Sequence, residues 1–388
     1  TLPPQDPHDL DIAADGKGNV YAVWQDYDIY SQFDYRWSVH LSVHPKGGTW
    51  QAEEMVATVF DYSPSPSPAV AADNFGNAHI LWRDQDDSGA DGVYYCLRAS
   101  QGSCDTRMKV SDGSVFDWYS DEGGPDIAVD SFNTAHAVWA DSRKGNSDIF
   151  YSQRLPGESW SKNVQINDDT GSARQFAPAI AAGPDGSVYA VWVDQRYDNP
   201  DIFFSFRPPE GSWTENVKVN DEFATAWPSQ SEPDLAVDRF GNAYAMWIDG
   251  RNLGLSDVFF SFRPSGGTWS PNVQVDSEAG TAQQHSPKIA VDGNGYAYAI
   301  WTDRRYIQTD IYSSVRSPTG EWGVNIKVND DLEWAYQDSP ALTVDALGNI
   351  YAIWRDTREG NNQIYSSFRV ENPWPQYVYL PLMLHDVQ

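Results

Sequence analysis

Short runs dense in apolar side chains alternate with Gly-, Asn- and Pro-bearing junctions along the whole chain, and no helical periodicity interrupts them. One such stretch, Asp15-Gly-Lys-Gly-Asn-Val-Tyr-Ala-Val-Trp24, recurs with small changes. Its Trp reappears at Trp82, Trp139, Trp192, Trp247, Trp301 and Trp354, at intervals of 58, 57, 53, 55, 54 and 53 residues. Each copy divides into four strand-like runs. In the fifth they are Pro233–Asp238, Ala243–Ile248, Asp257–Phe262 and Asn272–Asp276, with an Arg-Phe-Gly-Asn turn after the first and a Pro-Ser-Gly-Gly turn before the last. The second run is apolar almost throughout, as a strand buried on both faces requires.

Four antiparallel strands per unit, repeated radially, make a propeller blade, whereas solenoid units are shorter or helical. The expected fold is therefore all-β: one seven-bladed β-propeller with four antiparallel strands per blade. The blades are expected at about 7–60, 61–113, 114–169, 170–221, 222–277, 278–330 and 331–388. The first copy opens on its innermost strand near Asp9, and Tyr377–Leu384 reads as the fourth strand of the seventh blade. On this phasing every blade is contiguous in sequence and ring closure needs no strand exchange.

Composition narrows the function. Of 388 residues, 40% are hydrophobic and 14% aromatic, ample for a packed core and contrary to disorder. The net charge of −29 argues against nucleic acid and against an anionic membrane surface. No apolar run is long enough to span a membrane, and the opening Thr1-Leu2-Pro3-Pro4 reads as a mature or trimmed product.

The hairpin between third and fourth strands carries a second signature. Ser261 and Trp269 lie eight positions apart across Pro-Ser-Gly-Gly-Thr, and the same spacing relates Ser42 to Trp50, Ser152 to Trp160, Ser205 to Trp213 and Ser314 to Trp322. This resembles the Asp-box, or BNR repeat, of sialidase-like propellers, Ser-x-Asp-x-Gly-x-Thr-Trp between the same two strands. Here the Asp is missing and the loop is one residue longer. In the second blade Cys96 and Cys104 fall on the Ser and Trp positions, where a disulfide substitutes for the staple. A metal site would need further Cys or His nearby. A disulfide implies an oxidising compartment, and so a secreted or cell-surface protein.

In a propeller the loops between second and third strands share a face with the loops linking one blade to the next. Two residue sets converge there. The first follows the blade Trp as Trp-x-Asp-x-Arg: Asp141 and Arg143, Asp194 and Arg196, Asp249 and Arg251, Asp303 and Arg305, Asp356 and Arg358. A further Asp opens the next strand at Asp148, Asp201, Asp257 and Asp310, while Asp26 and Asp28, then Asp84 and Asp86, have no Arg in place. The ring reads either as bracing between blades through bidentate hydrogen bonds or as one anion or glycan site per blade. The second set varies from blade to blade: Phe60, Tyr62, Trp118, Tyr119, Phe176, Trp227, His285, Trp334 and Tyr336, with Asp121, Glu122, Glu232 and Asp338 among them. These offer flat faces and hydrogen bonds to sugar rings, or ordinary packing of the blade tops.

Catalytic residues on the propeller axis should break the repeat. The sialidases resembled here use six blades, an arginine triad, a Tyr–Glu pair and an Asp acid. Five recurring arginines single out no triad, and the Tyr–Glu pair does not map, so sialidase activity is not carried over. Glu122, Glu232 and His285 do not recur, whereas His79 and His136 stand where other blades have Tyr and read as packing. The fourth-strand ends, Asn167-Asp168-Asp169, Asn220-Asp221-Glu222 and Asn329-Asp330-Asp331, are dense in hard oxygen ligands and read as candidate calcium sites. The leading expectation is a glycan-binding recognition protein with no obligatory cofactor. A carbohydrate-active hydrolase or lyase with an axial site is the alternative, and a protein-interaction module the third reading. Catalytic residues and oligomeric state stay open.

Overall fold

In the computed structural model the described residues are 7–31, 34–59, 65–86, 88–100, 102–104, 106–113, 123–197, 199–221, 229–252, 255–277, 282–306, 308–330, 334–369 and 378–380. Among them the Trp-bearing runs become second strands, for example Val188–Asp194, Ala243–Asn252 and Ala297–Asp303. Each lies in a four-stranded antiparallel sheet drawn from consecutive chain, and seven such sheets form the ring. The apolar runs need cover on both faces, and adjacent blades supply it: Val191, Val193 and Phe204 of the fourth pack against Leu235, Ala245 and Trp247 of the fifth. Trp82, Trp139, Trp192, Trp247 and Trp301 are fully buried. The core is thus a set of seams between blades.

In six blades a repeated Asp just after the innermost strand builds its turn, Gly183 standing there in the fourth. Asp15 Oδ1 accepts the N–H of Lys17 and of Asn19, both at 2.8 Å, and Oδ2 accepts Asn19 Nδ2 at 2.7 Å. Gly18 completes the turn at φ +87°, a conformation open to glycine. The same Asp accepts from Tyr21 and Tyr244 in their blades, and His136 takes that place by facing Asp130 at 3.2 Å.

The hairpin staple joins blades. Ser205 Oγ donates to the Thr214 carbonyl at 2.8 Å, and Ser152 and Ser261 repeat the bond. The hairpin Trp meets the preceding blade's aromatic ring at 5.1 Å and near right angles, in the pairs Trp160–Tyr95, Trp213–Tyr151, Trp269–Phe204 and Trp322–Phe260. In the second blade a Cys96–Cys104 disulfide closes the hairpin, with Cα atoms 5.6 Å apart. The first blade has Leu41, not an aromatic, at the matching register, so the missing Trp has no missing partner.

Fourth strands are shorter than the sequence pattern suggests: the fifth blade pairs only Val273–Gln274. The flanking Asn272 turns its amide to the neighbouring blade, donating to the Val219 carbonyl at 3.1 Å. A short outer strand also limits edge-to-edge pairing. The seventh blade's fourth strand is Val378–Leu380, antiparallel to Gln363–Arg369. First and seventh blades meet through side chains: Trp50 Nε1 donates to Ser366 Oγ at 3.3 Å, and Arg355 Nη1 lies 2.7 Å from His8 Nδ1.

Candidate functional site

Polar groups on the inter-blade face fall into a recurring class and a non-recurring class. In the recurring class Arg196 is representative. Its Nε and Nη2 donate to Asp194 at 3.0 and 2.7 Å, its Nη1 to Asp168 of the preceding blade at 2.6 Å, and its Nη2 also to Asn216 at 3.0 Å. Asp194 is fully buried and also accepts the Trp192 indole N–H at 3.1 Å. The guanidinium lies over Phe203 at 4.3 Å. Arg251 and Arg358 repeat this with Asp249 and Asp221, and with Asp356 and Asp330. Arg143 does so with Asp141 and Asp112. Arg305 keeps Asp303, but Ser277 stands where the preceding blade's Asp would be. These groups are consumed by clasps between blades.

The second blade reaches the same arrangement from another segment. Arg107, which precedes the fourth strand, bonds Asp84 at 3.0 Å and lies over Tyr94 at 3.8 Å. Sequence reading missed it because the residue is out of phase with the Trp-x-Asp-x-Arg motif; only the unexplained Asp84 pointed to it.

At the fourth-strand ends Asn167 and Asp168 are similarly occupied, while Asp169 Oδ2 is buried with no hydrogen-bond partner among the described residues. Asn167 spends its amide on Asp148 and Gln175, at 2.9 and 3.0 Å, and Asp168 receives the Asn216 N–H at 2.9 Å. Glu222 and Asp331 lie outside the described residues.

The non-recurring class gathers at the axis. Asp9, Ser67, Ala177, Glu232, Ser286 and Ser339 have φ between 43° and 52°, at one register position of the innermost strands, Ser67 just ahead of its own. A bulge accompanies this in five blades, as between Ser231 and Asp234. Left-handed backbone in non-glycine residues is strained, and strain of this kind clusters at functional sites. Around this mouth most side chains are small, but the fifth and sixth blades differ. Glu232 Oε1 lies 3.9 Å from His285 Nδ1, with both side chains about 40% exposed (40% for His285, 42% for Glu232). Glu232 Oε2 also accepts the Ser286 N–H.

One step down the axis, Asp11, Asp126, Asp234 and Lys288 stand at the register held elsewhere by Ala69, Ala179 and Ala341. Each Asp also accepts a backbone N–H of the next blade at 2.7 Å, from Val70, Ile180 and Ile289. Desolvation, reinforced by the charge of Asp11, pushes Asp126 up to about 7. The Asp234 carboxylate, 3.7 Å away, raises Lys288 against desolvation. A charged residue at a small-residue position was the readable signal for this cluster, and it went unread.

Of the sequence candidates, Trp334 and Tyr336 project from the loop entering the seventh blade, 81% and 53% exposed. The Tyr336 N–H donates to Thr357 Oγ1 at 2.8 Å and its carbonyl accepts the Thr357 N–H, fixing the loop. Tyr197 and Tyr306, each beside a clasp Arg, are 63% and 65% exposed on the same face. Phe176 packs against the seam of the fourth and fifth blades. Asp338 is held bidentately by Arg355, at 2.6 and 2.5 Å. Phe60, Tyr62, Trp118, Tyr119, Asp121, Glu122 and Trp227 lie outside the described residues.

No protein-family model matches the chain, and no curated protein matches its sequence. Solved structures with the same fold include the BP39L lectin from Burkholderia pseudomallei, 12% identical over 98% of this chain and 99% of that one, with a TM-score of 0.66. The β-propeller domain of the Trilobed protease from Pyrococcus furiosus aligns over 94% and 95% of the two chains, at 7% identity and a TM-score of 0.54. The intramolecular trans-sialidase from Ruminococcus gnavus aligns over 90% of each chain, at 13% identity and a TM-score of 0.47.

Proposed function

We propose that this propeller is a glycan-recognition protein that works through its inter-blade face and axial mouth. One observation carries the reading. The clasps consume the recurring Asp and Arg side chains, so the face presents exposed aromatic rings, Tyr197, Tyr306, Trp334 and Tyr336, around a mouth lined by Glu232 and His285. Flat apolar faces bordered by a few polar groups suit sugar rings, which carry C–H faces and hydroxyl edges. The lectin with the same fold supports the class of ligand and not its identity. The disulfide supports work in an oxidising compartment, outside the cell or on its surface.

A second reading, a hydrolase or lyase acting at the axis, draws on the Glu232–His285 pair, which breaks the repeat where a single site would sit. A glycan array run beside a turnover screen, each with and without calcium, separates the two. Retained glycan without product supports recognition, and released product supports the enzyme. Silence in every condition removes both.

A further inference from the structure

In six blades the third strand ends on an arginine: Arg98, Arg154, Arg207, Arg263, Arg316 and Arg369, with His44 in the first. Arg263 pairs with Ala243, just after the Asp238 turn, while the clasp residue Asp249 pairs at the other end of the same strand. These arginines therefore lie on the hairpin face, opposite the clasps. Four stack on a ring of the preceding blade: Arg154 on Tyr95 at 5.4 Å, Arg207 on Tyr151 at 5.8 Å, Arg263 on Phe204 at 5.1 Å and Arg316 on Phe260 at 5.2 Å. A ring does not replace an anion in this molecule. Clasp arginines such as Arg196, Arg251 and Arg358 also lie over rings, and each is met by carboxylates as well. Yet among the described residues no carboxylate lies within ion-pair distance of Arg154, Arg207, Arg263 or Arg316, in a chain with 55 acidic residues. Desolvation pulls Arg263 and Arg316 down, and only Tyr189 and Tyr244 oppose it. Arg316 is buried, and Arg154 Nε is buried without a hydrogen-bond partner. Unpaired charge at such depth is costly.

The seam of the first and second blades shows what fits such a guanidinium. Arg98 Nη2 and Nε donate to Glu54 Oε1 and Oε2 at 2.7 and 3.2 Å, a bidentate pair. Glu54 stands in the first blade's outer strand, paired with Leu41. The same register, paired with the ring residue, holds Met108, Val164, Val217 and Val273 in the second to fifth blades. None of these can neutralise the arginine of the next blade. Val164, Val217 and Val273 are about half exposed, so solvent reaches the register from which Glu54 extends. One seam thus carries its own carboxylate, and four seams carry the receptor for one.

We propose that the hairpin face binds carboxylates at these four seams, and that its ligand is an acidic glycan bearing uronic acid residues. An incoming carboxylate bonds the guanidinium as Glu54 bonds Arg98, and the C–H face of the sugar rests on the exposed valine. Recurrence at one register in four consecutive blades suits a ligand that repeats its own acidic group, because each added contact is made at high effective concentration. The net charge of −29 opposes a polyanion at long range. Salt at physiological strength screens charges beyond about 8 Å, which leaves the local guanidiniums to decide. This site is remote from Trp334 and the axial mouth and does not depend on them.

Calorimetric titration of the full chain with hexagalacturonate, in chelator at about 0.15 M salt, tests this, with the methyl-esterified hexamer as neutral control. The acid should bind and the ester should not. Replacing Arg207 and Arg263 together by Gln should weaken binding about tenfold or more. Val217→Glu places a carboxylate at the register of Glu54, within reach of Arg263, so it should weaken binding while raising the Tm. Glu54→Val, which gives the first blade the valine of the others and frees Arg98, should strengthen binding. Failure of the acid to bind, equal binding of acid and ester, or a double variant that binds like wild type would overturn the proposal. So would tighter capture of a poly-glutamate peptide than of the hexamer, which would mark the partner as a protein.

Discussion

Arg196 touches groups from three segments of chain, and its loss would leave the buried Asp194 carboxylate without its cation. Removing one partner of such a pair costs about 3 kcal/mol, so Arg196→Ala should lower stability by that order in denaturant unfolding. Arg196→Lys should rescue little, because an ammonium reproduces neither the bidentate contact nor the stacking on Phe203. Glycan binding should survive in both variants at temperatures where they stay folded. Asp126 gives a second test at this scale. Its carboxyl is raised to about 7, so the native state binds a proton that the unfolded chain has lost, and stability falls as pH rises from about 4 through 7. Asn can still accept the Ile180 N–H. Asp126→Asn should therefore match wild type at low pH and exceed it by about 1–2 kcal/mol at pH 8, after allowance for solvent screening. Unchanged pH dependence would show that the axial carboxylates stay charged. The motif arginines were legible in sequence because they keep phase with the blade Trp. Arg107 was not, since equivalence in space did not follow equivalence in register.

At the scale of the element, strands were legible because their apolar runs face neighbouring blades on both sides. Their ends were less so. Fourth strands open only after Asn163, Asn216, Asn272 and Asn325, which turn their amides to carbonyls of the preceding blade. That is a tertiary contact, and strand periodicity does not record it. The innermost strands begin earlier than their apolar pattern, since bulges at Ser231–Asp234 and its equivalents carry polar side chains to the mouth. The second-blade hairpin is the exception within the staple series. Reduction of Cys96–Cys104, or replacement of both by Ser, removes a cross-link closing a short loop and should cost about 2–3 kcal/mol. Melting with and without reductant measures this, and an unchanged Tm would mean that the hairpin is held by its strands alone.

For the whole molecule, seven near-equal repeats fixed the ring, and the fold was legible almost entirely. Function was not, because the repeat accounts for most of the conspicuous polar residues. Once the Asp–Arg clasps are set aside, exposed aromatic rings and an asymmetric, charged axial mouth distinguish the inter-blade face. Trp334 is the most exposed of those rings and Ala335 beside it is buried, so the indole can be removed without opening the core. The decisive measurement is the affinity of the full chain for the best ligand on a glycan array, compared with the Trp334→Ala variant. The account predicts measurable wild-type binding, weakened about tenfold or more in the variant with an unchanged Tm. A chain that binds no glycan, or a variant that binds as tightly as wild type, would contradict it.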